Sequence, residues 1–284
     1  MNYHVRVLVA MALGAILLTG CSAPPATARA MSLTRAHREE EAIKVLREDL
    51  AAHPDDVAAR RILIRVLAVT GDLTAARVEV GELQSRLPEG DPSPWVELGH
   101  AYELTHRFEE ALAAYDQAAA AAPNSPVGPR EGGMRCARWG EVDEARPRLE
   151  EAVKRGAHDA EIWHALGLVR LHQHDLASAS EAYRAGIAAD PKGTENILGL
   201  ATVAVLSDDG AGALAAYDAL LKRLPEFAPA ELGRAWALAK LGRRDEARRA
   251  LDRAEELGAP RANVAKQRAA LTAPTRPSPE PPSE

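Results

Sequence analysis

Residues 92–125 read PSPWVELGHAYELTHRFEEALAAYDQAAAAAPNS. With Pro92 as place one, Trp95 falls at place four, Leu98 at seven, Gly99 at eight and Tyr102 at eleven. Ala111 follows at twenty, Tyr115 at twenty-four, Ala118 at twenty-seven and Pro123 at thirty-two. The large apolar residues recur at helical spacing in two stretches, which predicts two amphipathic helices joined by a short turn. Small residues at places eight and twenty let the two backbones approach closely. Pro123 stops the second helix because it has no amide to donate.

The same frame repeats along the chain. Pro54, Pro88, Pro123, Pro191 and Pro225 are spaced by 34, 35, 68 and 34 residues, and Ala157 stands in the doubled gap. The unit 57–90 carries Leu63, Leu67, Gly71, Ala76 and Val80; 126–159 carries Gly133, Cys136, Gly140, Ala145 and Leu149. Unit 160–193 has Trp163, Leu166, Gly167, Ala179 and Tyr183, unit 194–227 has Leu200, Ala201, Ala213 and Tyr217, and unit 228–261 has Ala235, Leu238, Gly242, Ala247 and Leu251. A period near 34 with these residues resembles the tetratricopeptide repeat (TPR) family. The resemblance implies an all-α fold, a right-handed α-solenoid of tandem helix–turn–helix units. One unit alone cannot bury its apolar face, so neighbours must stack.

Several departures carry expectations. Place four holds Arg60, Pro129, Ile197 and Glu231 in four units, which predicts weaker helix starts there. Pro147 inside a second helix predicts a late start or a kink. Gly132-Gly133 costs about 0.8–1 kcal/mol per glycine relative to alanine, which marks 126–159 as the softest unit.

The ends read differently. Residues 1–20 combine Arg6, an apolar run from Val7 to Leu18 and the closing Leu18-Thr19-Gly20 before Cys21. The run is too short to span a bilayer, which takes about 20 residues. This tetrapeptide resembles a bacterial lipobox, which implies signal cleavage before Cys21, lipidation of its thiol and a membrane attachment. Ser22 after the cysteine implies, by analogy with Gram-negative sorting, the periplasmic face of the outer membrane. Residues 21–34 read as a flexible tether rich in Ala, Pro, Ser and Thr. Residues 35–56 supply the second half of a degenerate repeat, and 57–261 the six full units. Residues 262–273 suit a capping helix. The tail 274–284, with five prolines in eleven residues, reads as disordered.

Composition narrows the functional classes. The 284 residues are 46% hydrophobic and carry a formal charge of −6; losing residues 1–20 removes only Arg6 among charged groups, leaving −7. An acidic chain is a poor general nucleic-acid binder. With Cys21 lipidated, Cys136 has no disulfide partner, and its core place reads as a small buried hydrophobe. His172, His174 and Asp175 form the one metal-like cluster, but residues two apart on a helix do not share a face. No nucleophile elbow, phosphate loop or Cys-x-x-Cys is present. The expectation is no enzymatic activity, no cofactor, no metal and no small-molecule substrate.

The TPR resemblance implies a protein or peptide ligand in a concave groove lined by first helices, at places two, five, nine, twelve and thirteen. Those places give Arg61, Arg65, His100, Arg130, Arg138, His164, Leu198, Leu232 and Trp236 as candidate contacts. The earlier units contribute arginines, whose planar guanidinium suits carboxylates; the later ones contribute apolar anchors. The chaperone-tail carboxylate clamp of some TPRs is not reproduced, since Arg65 and Glu97 stand where it places asparagines. Lipobox plus repeats resembles type IV pilus pilotins and tight-adherence pilus lipoproteins, implying a scaffold in pilus or secretion assembly. A lipid-anchored regulator of cell-wall enzymes is the alternative, and a fragment of a glycan-modifying enzyme a third.

Overall fold

A computed structural model describes residues 24–272, and among them all regular structure is α-helical. Fifteen helices alternate with short turns, and the chain divides into two compact units at Arg86/Leu87. The first unit contains α1 (Ala26–Arg35), α2 (Glu39–Ala52), α3 (Val57–Val69) and α4 (Leu73–Gln84). The second contains α5 (Ser93–Leu104), α6 (Phe108–Ala121), α7 (Val127–Trp139), α8 (Val142–Lys154), α9 (Ala160–His172) and α10 (Leu176–Ala189). It continues with α11 (Glu195–Leu206), α12 (Gly210–Leu221), α13 (Ala228–Lys240), α14 (Arg244–Glu256) and α15 (Arg261–Thr272). The lipobox, Cys21 and the tail 274–284 lie outside the described residues.

One turn recurs inside every hairpin. His37, Gly71, His106, Gly140, His174, Asp208 and Gly242 all have positive φ, one repeat apart. The amide of the next residue reaches back to a carbonyl five residues earlier, as from Arg38 to Leu33 and from Asp175 to Arg170. This closes the first helix by satisfying an orphan carbonyl. Three second helices then start on aspartate caps: Asp72, Asp175 and Asp209 accept the amides of Ala75, Ser178 and Gly212. Where Ala157 replaces the periodic proline, Gly156 at φ 102° and the Ala157 amide bonded to Ala152 end the helix instead.

Tyrosines lock the hairpins together in the second unit. Tyr183 is fully buried, and a Cβ added at Gly167 on one side or Gly199 on the other would lie 2.6 or 2.3 Å from its ring. Tyr115 sits likewise against Gly99, and Tyr217 against Gly233. An arginine near the end of the second helix ties the preceding connection: Arg86 donates to the Pro54 carbonyl, Arg155 to those of Ala119, Ala122 and Ser125, and Arg223 to that of Pro191.

Several expectations are changed by the structure. The tether reading of 21–34 gives way to helix from Ala26, because an alanine-rich segment behind Pro25 buries Ala30 against α2. Residues 35–56 therefore belong to a complete hairpin, not to half of one. Pro147 does not delay α8, which begins five residues earlier at Val142. Gly133 serves packing, since a Cβ there would lie 2.9 Å from Leu149. At place four, Arg60 is buried and anchored, donating to Glu79 and to the Pro54 carbonyl. α15 stands close to the expected capping helix.

Candidate functional site

The sequence-predicted groove residues sort into three environments. In the first unit, Arg65 is exposed beside a recess of about 470 Å³ that Met31, Ile62, Val66 and Val69 line with Arg35. Arg61 is half-buried, and both Arg61 and Arg65 interact with neighbouring groups.

In the second unit, the face built by α5 and α7 is a closed charge network. Tyr115 donates to Glu103 at 2.8 Å, and Arg135 donates to the same oxygen at 2.6 Å. Arg135 also pairs with Glu131 at 3.3 Å. His100 stands between Glu97 at 3.9 Å and Glu131 at 3.6 Å, edge-on to Tyr115. Burial works against its imidazolium, yet the two carboxylates outweigh burial and raise its pKa to about 9. Glu131 is held below the usual carboxylate range, first by its bond to His100. Arg130 joins Glu161 at 2.7 Å, Asp159 at 3.3 Å and Glu131 at 3.5 Å. The predicted groove residues His100 and Arg130 are thus already engaged within the fold.

Further along, α7, α9 and α11 form an open face. A recess of about 340 Å³ has Met134, Ala165, Leu168 and Val169 among its lining, with Arg138 and His172 at the last turns of α7 and α9. Among the described residues, no hydrogen bond or ion pair engages Arg138. It is the one arginine of α5–α9 and their turns in that state. His164 borders the recess too; burial lowers its pKa, and its Nδ1 is buried without a hydrogen-bond partner. Leu168, Leu198 and Leu206 are 39, 40 and 60% exposed, an apolar surface the fold leaves in water.

Leu232 and Trp236 prove more structural than expected. Leu232 packs on the cluster around Leu238 and Leu251, and Trp236 on the cluster around Ile197 and Tyr217. Lys240 lies 5.8 Å from the Trp236 ring centroid and pairs with Asp208. Cys136 is fully buried, and burial pushes its thiol up to about 11. His174 holds the left-handed turn position, apart from any metal-like cluster among the described residues.

The sequence reading passed over Glu131 and Arg135, which close the α5/α7 network. Their spacing of four on one helix was the available signal. Glu97 was noted only as a departure, yet it is buried beside His100.

A family model described as tetratricopeptide repeat matches residues 27–92, 138–194 and 198–262, and a second of the same description matches 92–125. None of the curated proteins matches the chain in sequence. Among solved structures, the chain is similar to the C-terminal part of a TPR repeat-containing protein from Cytophaga hutchinsonii. That likeness has a TM-score of 0.64 at 13% identity and covers 85% of this chain and 98% of that one. It is similar to YrrB, a TPR protein described as having an unusual peptide-binding site, with TM-score 0.58, 18% identity, and coverage of 63% and 93%. A MamA protein aligns with TM-score 0.55 at 21% identity over 66% of this chain and 98% of its own. At these identities the likenesses establish the fold.

Proposed function

The chain belongs to the tetratricopeptide-repeat family, and from that premise we propose a protein-docking scaffold held at a bacterial envelope membrane by a lipid on Cys21. The observation that carries the docking role is the open face of α7, α9 and α11. There an unengaged guanidinium, Arg138, adjoins exposed leucines that the core does not use. Elsewhere on the face of α5 and α7, His100, Glu103, Arg130, Glu131 and Arg135 are matched internally. An extended or helical protein segment with a carboxylate near an aliphatic residue fits this combination. The membrane attachment draws its support from Leu18-Thr19-Gly20-Cys21 and Ser22. Three acyl chains would hold such a protein firmly, at about 0.8 kcal/mol per buried methylene. The periplasmic face of the outer membrane, and a place in assembling pilus or secretion machinery, complete the reading.

Two measurements test it. Cells fed an alkyne-bearing palmitate should label the wild-type protein and leave Cys21→Ser unlabelled; an unlabelled wild type removes the anchor. A photo-crosslinking residue at Leu198 should capture a discrete protein, and Arg138→Glu should cut the adduct at least tenfold. An adduct indifferent to Arg138 would take the open face out of the function.

A further inference from the structure

Second helices place a charged residue at the same point of four successive repeats: Asp116, Glu150, Arg184 and Asp218. Three of the four are carboxylates, and each meets an arginine. Arg148 pairs with Asp116 at 2.9 Å, Arg146 and Arg170 with Glu150 at 3.0 and 3.2 Å, and Arg234 with Asp218 at 2.7 Å. Arg184 alone reverses the sign. It is exposed, and among the described residues nothing pairs with it.

Its surroundings change in step. Arg170 rises from α9 between α8 and α10, bonding Glu150 on one side and the Ser178 carbonyl on the other. One repeat later the corresponding residue is Ala204, and Gly212 stands where Ser178 was. The space that Arg170 fills is therefore left open as a cleft of about 620 Å³ between α10 and α12, over α11. Ile187, Ile197, Leu200 and Val203 contribute apolar wall, and Arg184 stands at the rim. Small residues such as Ala215 and Ala219 let a helix backbone come close.

We propose that this cleft docks an acidic amphipathic helix of a partner protein, its aliphatic side chains entering between α10 and α12 and its carboxylate taking Arg184. The partner supplies the carboxylate that the neighbouring repeats carry themselves. This is a second surface, separate in its residues from the open face of α7, α9 and α11, and it stands whether or not that face binds anything. Asp209 and Arg223 also border the cleft, but Asp209 caps Gly212 and Arg223 is spent on the Ala219 and Pro191 carbonyls, so Arg184 is the charge left for a partner. An apolar cleft with such a charge is the pattern by which helices are recognised in grooves.

The probe is a fluorescein-labelled, helix-stabilised peptide of alternating leucine and glutamate turns, titrated by anisotropy against the full chain. Binding in the micromolar range is expected, weakened at least tenfold by Arg184→Glu and by changing the peptide's glutamates to glutamine. The pair Arg184→Glu with Ala204→Arg rebuilds the closed arrangement of the preceding repeat and should abolish binding while keeping the helical circular dichroism. Whatever Arg138→Glu removes at the open face, the binding that Arg184→Glu weakens should persist in that variant. No binding at 1 mM peptide, or binding that ignores Arg184, overturns the proposal. So does a loss on Arg138→Glu equal to that on Arg184→Glu. Dodecanoate binding to the cleft with no binding of the peptide would assign it to small amphiphiles and overturn the proposal as well.

Discussion

His100 stands between Glu97 and Glu131, with Arg135 close by and the Tyr115 ring at its edge. Its raised pKa makes the network a source of stability with a definite pH window. The folded-state value of about 9 exceeds the ordinary 6.5, so the contribution is complete below about pH 6.5 and disappears as pH rises through 9. The loss is on the order of 3 kcal/mol at most, since one unit is worth about 1.4 kcal/mol. Denaturant unfolding between pH 6 and pH 9.5 should show a fall of this sign, largely absent in His100→Gln. An unchanged wild-type midpoint would mean that the imidazole titrates alike in the folded and unfolded chain. Such pairings were hard to read in advance. Place nine of the repeat marks His100 as groove-facing and Glu97 stands three residues before it, but only the juxtaposition of α5 and α7 brings Glu131 to the same ring. Arg130 teaches the same lesson: the sequence supplies a guanidinium, and Asp159 and Glu161, about one repeat later, consume it.

At the scale of helices and hairpins, the apolar frame predicted nearly everything. Leu63, Leu98 and Leu166 at place seven and Leu238 at place eleven are buried as expected. The failures came from treating local propensity as decisive. Alanine-rich residues after Pro25 read as linker because no second apolar stripe accompanies them, yet α2 gives them a surface on which to fold. The glycines of α7 read only as weakness, and Gly133 has a packing role beside that, since the Leu149 side chain and backbone lie 2.9 Å from where its Cβ would stand. Gly199 puts the same principle to a sharper trial. Alanine there would set a methyl 2.3 Å from the buried Tyr183 ring, which is boxed in by Gly167 on the opposite side. Overpacking of this kind costs about 1–3 kcal/mol, more than the gain of up to about 1 kcal/mol from replacing a helical glycine. Gly199→Ala should therefore lower the unfolding midpoint, whereas helix propensity alone predicts a rise. Gly199→Ala with Tyr183→Leu should recover part of the loss.

For each compact unit as a whole, stability is a sum over neighbouring hairpins. In the second unit, consecutive helices from α5 onward pack on their sequence neighbours, and the longer-range contacts skip only one helix. Ion pairs obey the same rule, for Glu103 and Arg135, Asp116 and Arg148, and Asp208 and Lys240 each lie 32 residues apart. A sequence read unit by unit conceals these links, because each partner sits in a different repeat. Leu98 is 8% exposed, and its truncation to alanine should cost roughly 2–5 kcal/mol. In a nearly one-dimensional array that cost stays near its source. Hydrogen exchange of Leu98→Ala should quicken most in α5, α6 and α7, where Leu98 and the Tyr115 lock reside, and least in α13–α15. Equal acceleration across all eleven helices would instead show that the second unit opens as one cooperative body. In that case the hairpin, with its own turn, cap and tyrosine lock, would no longer be the element that stores stability.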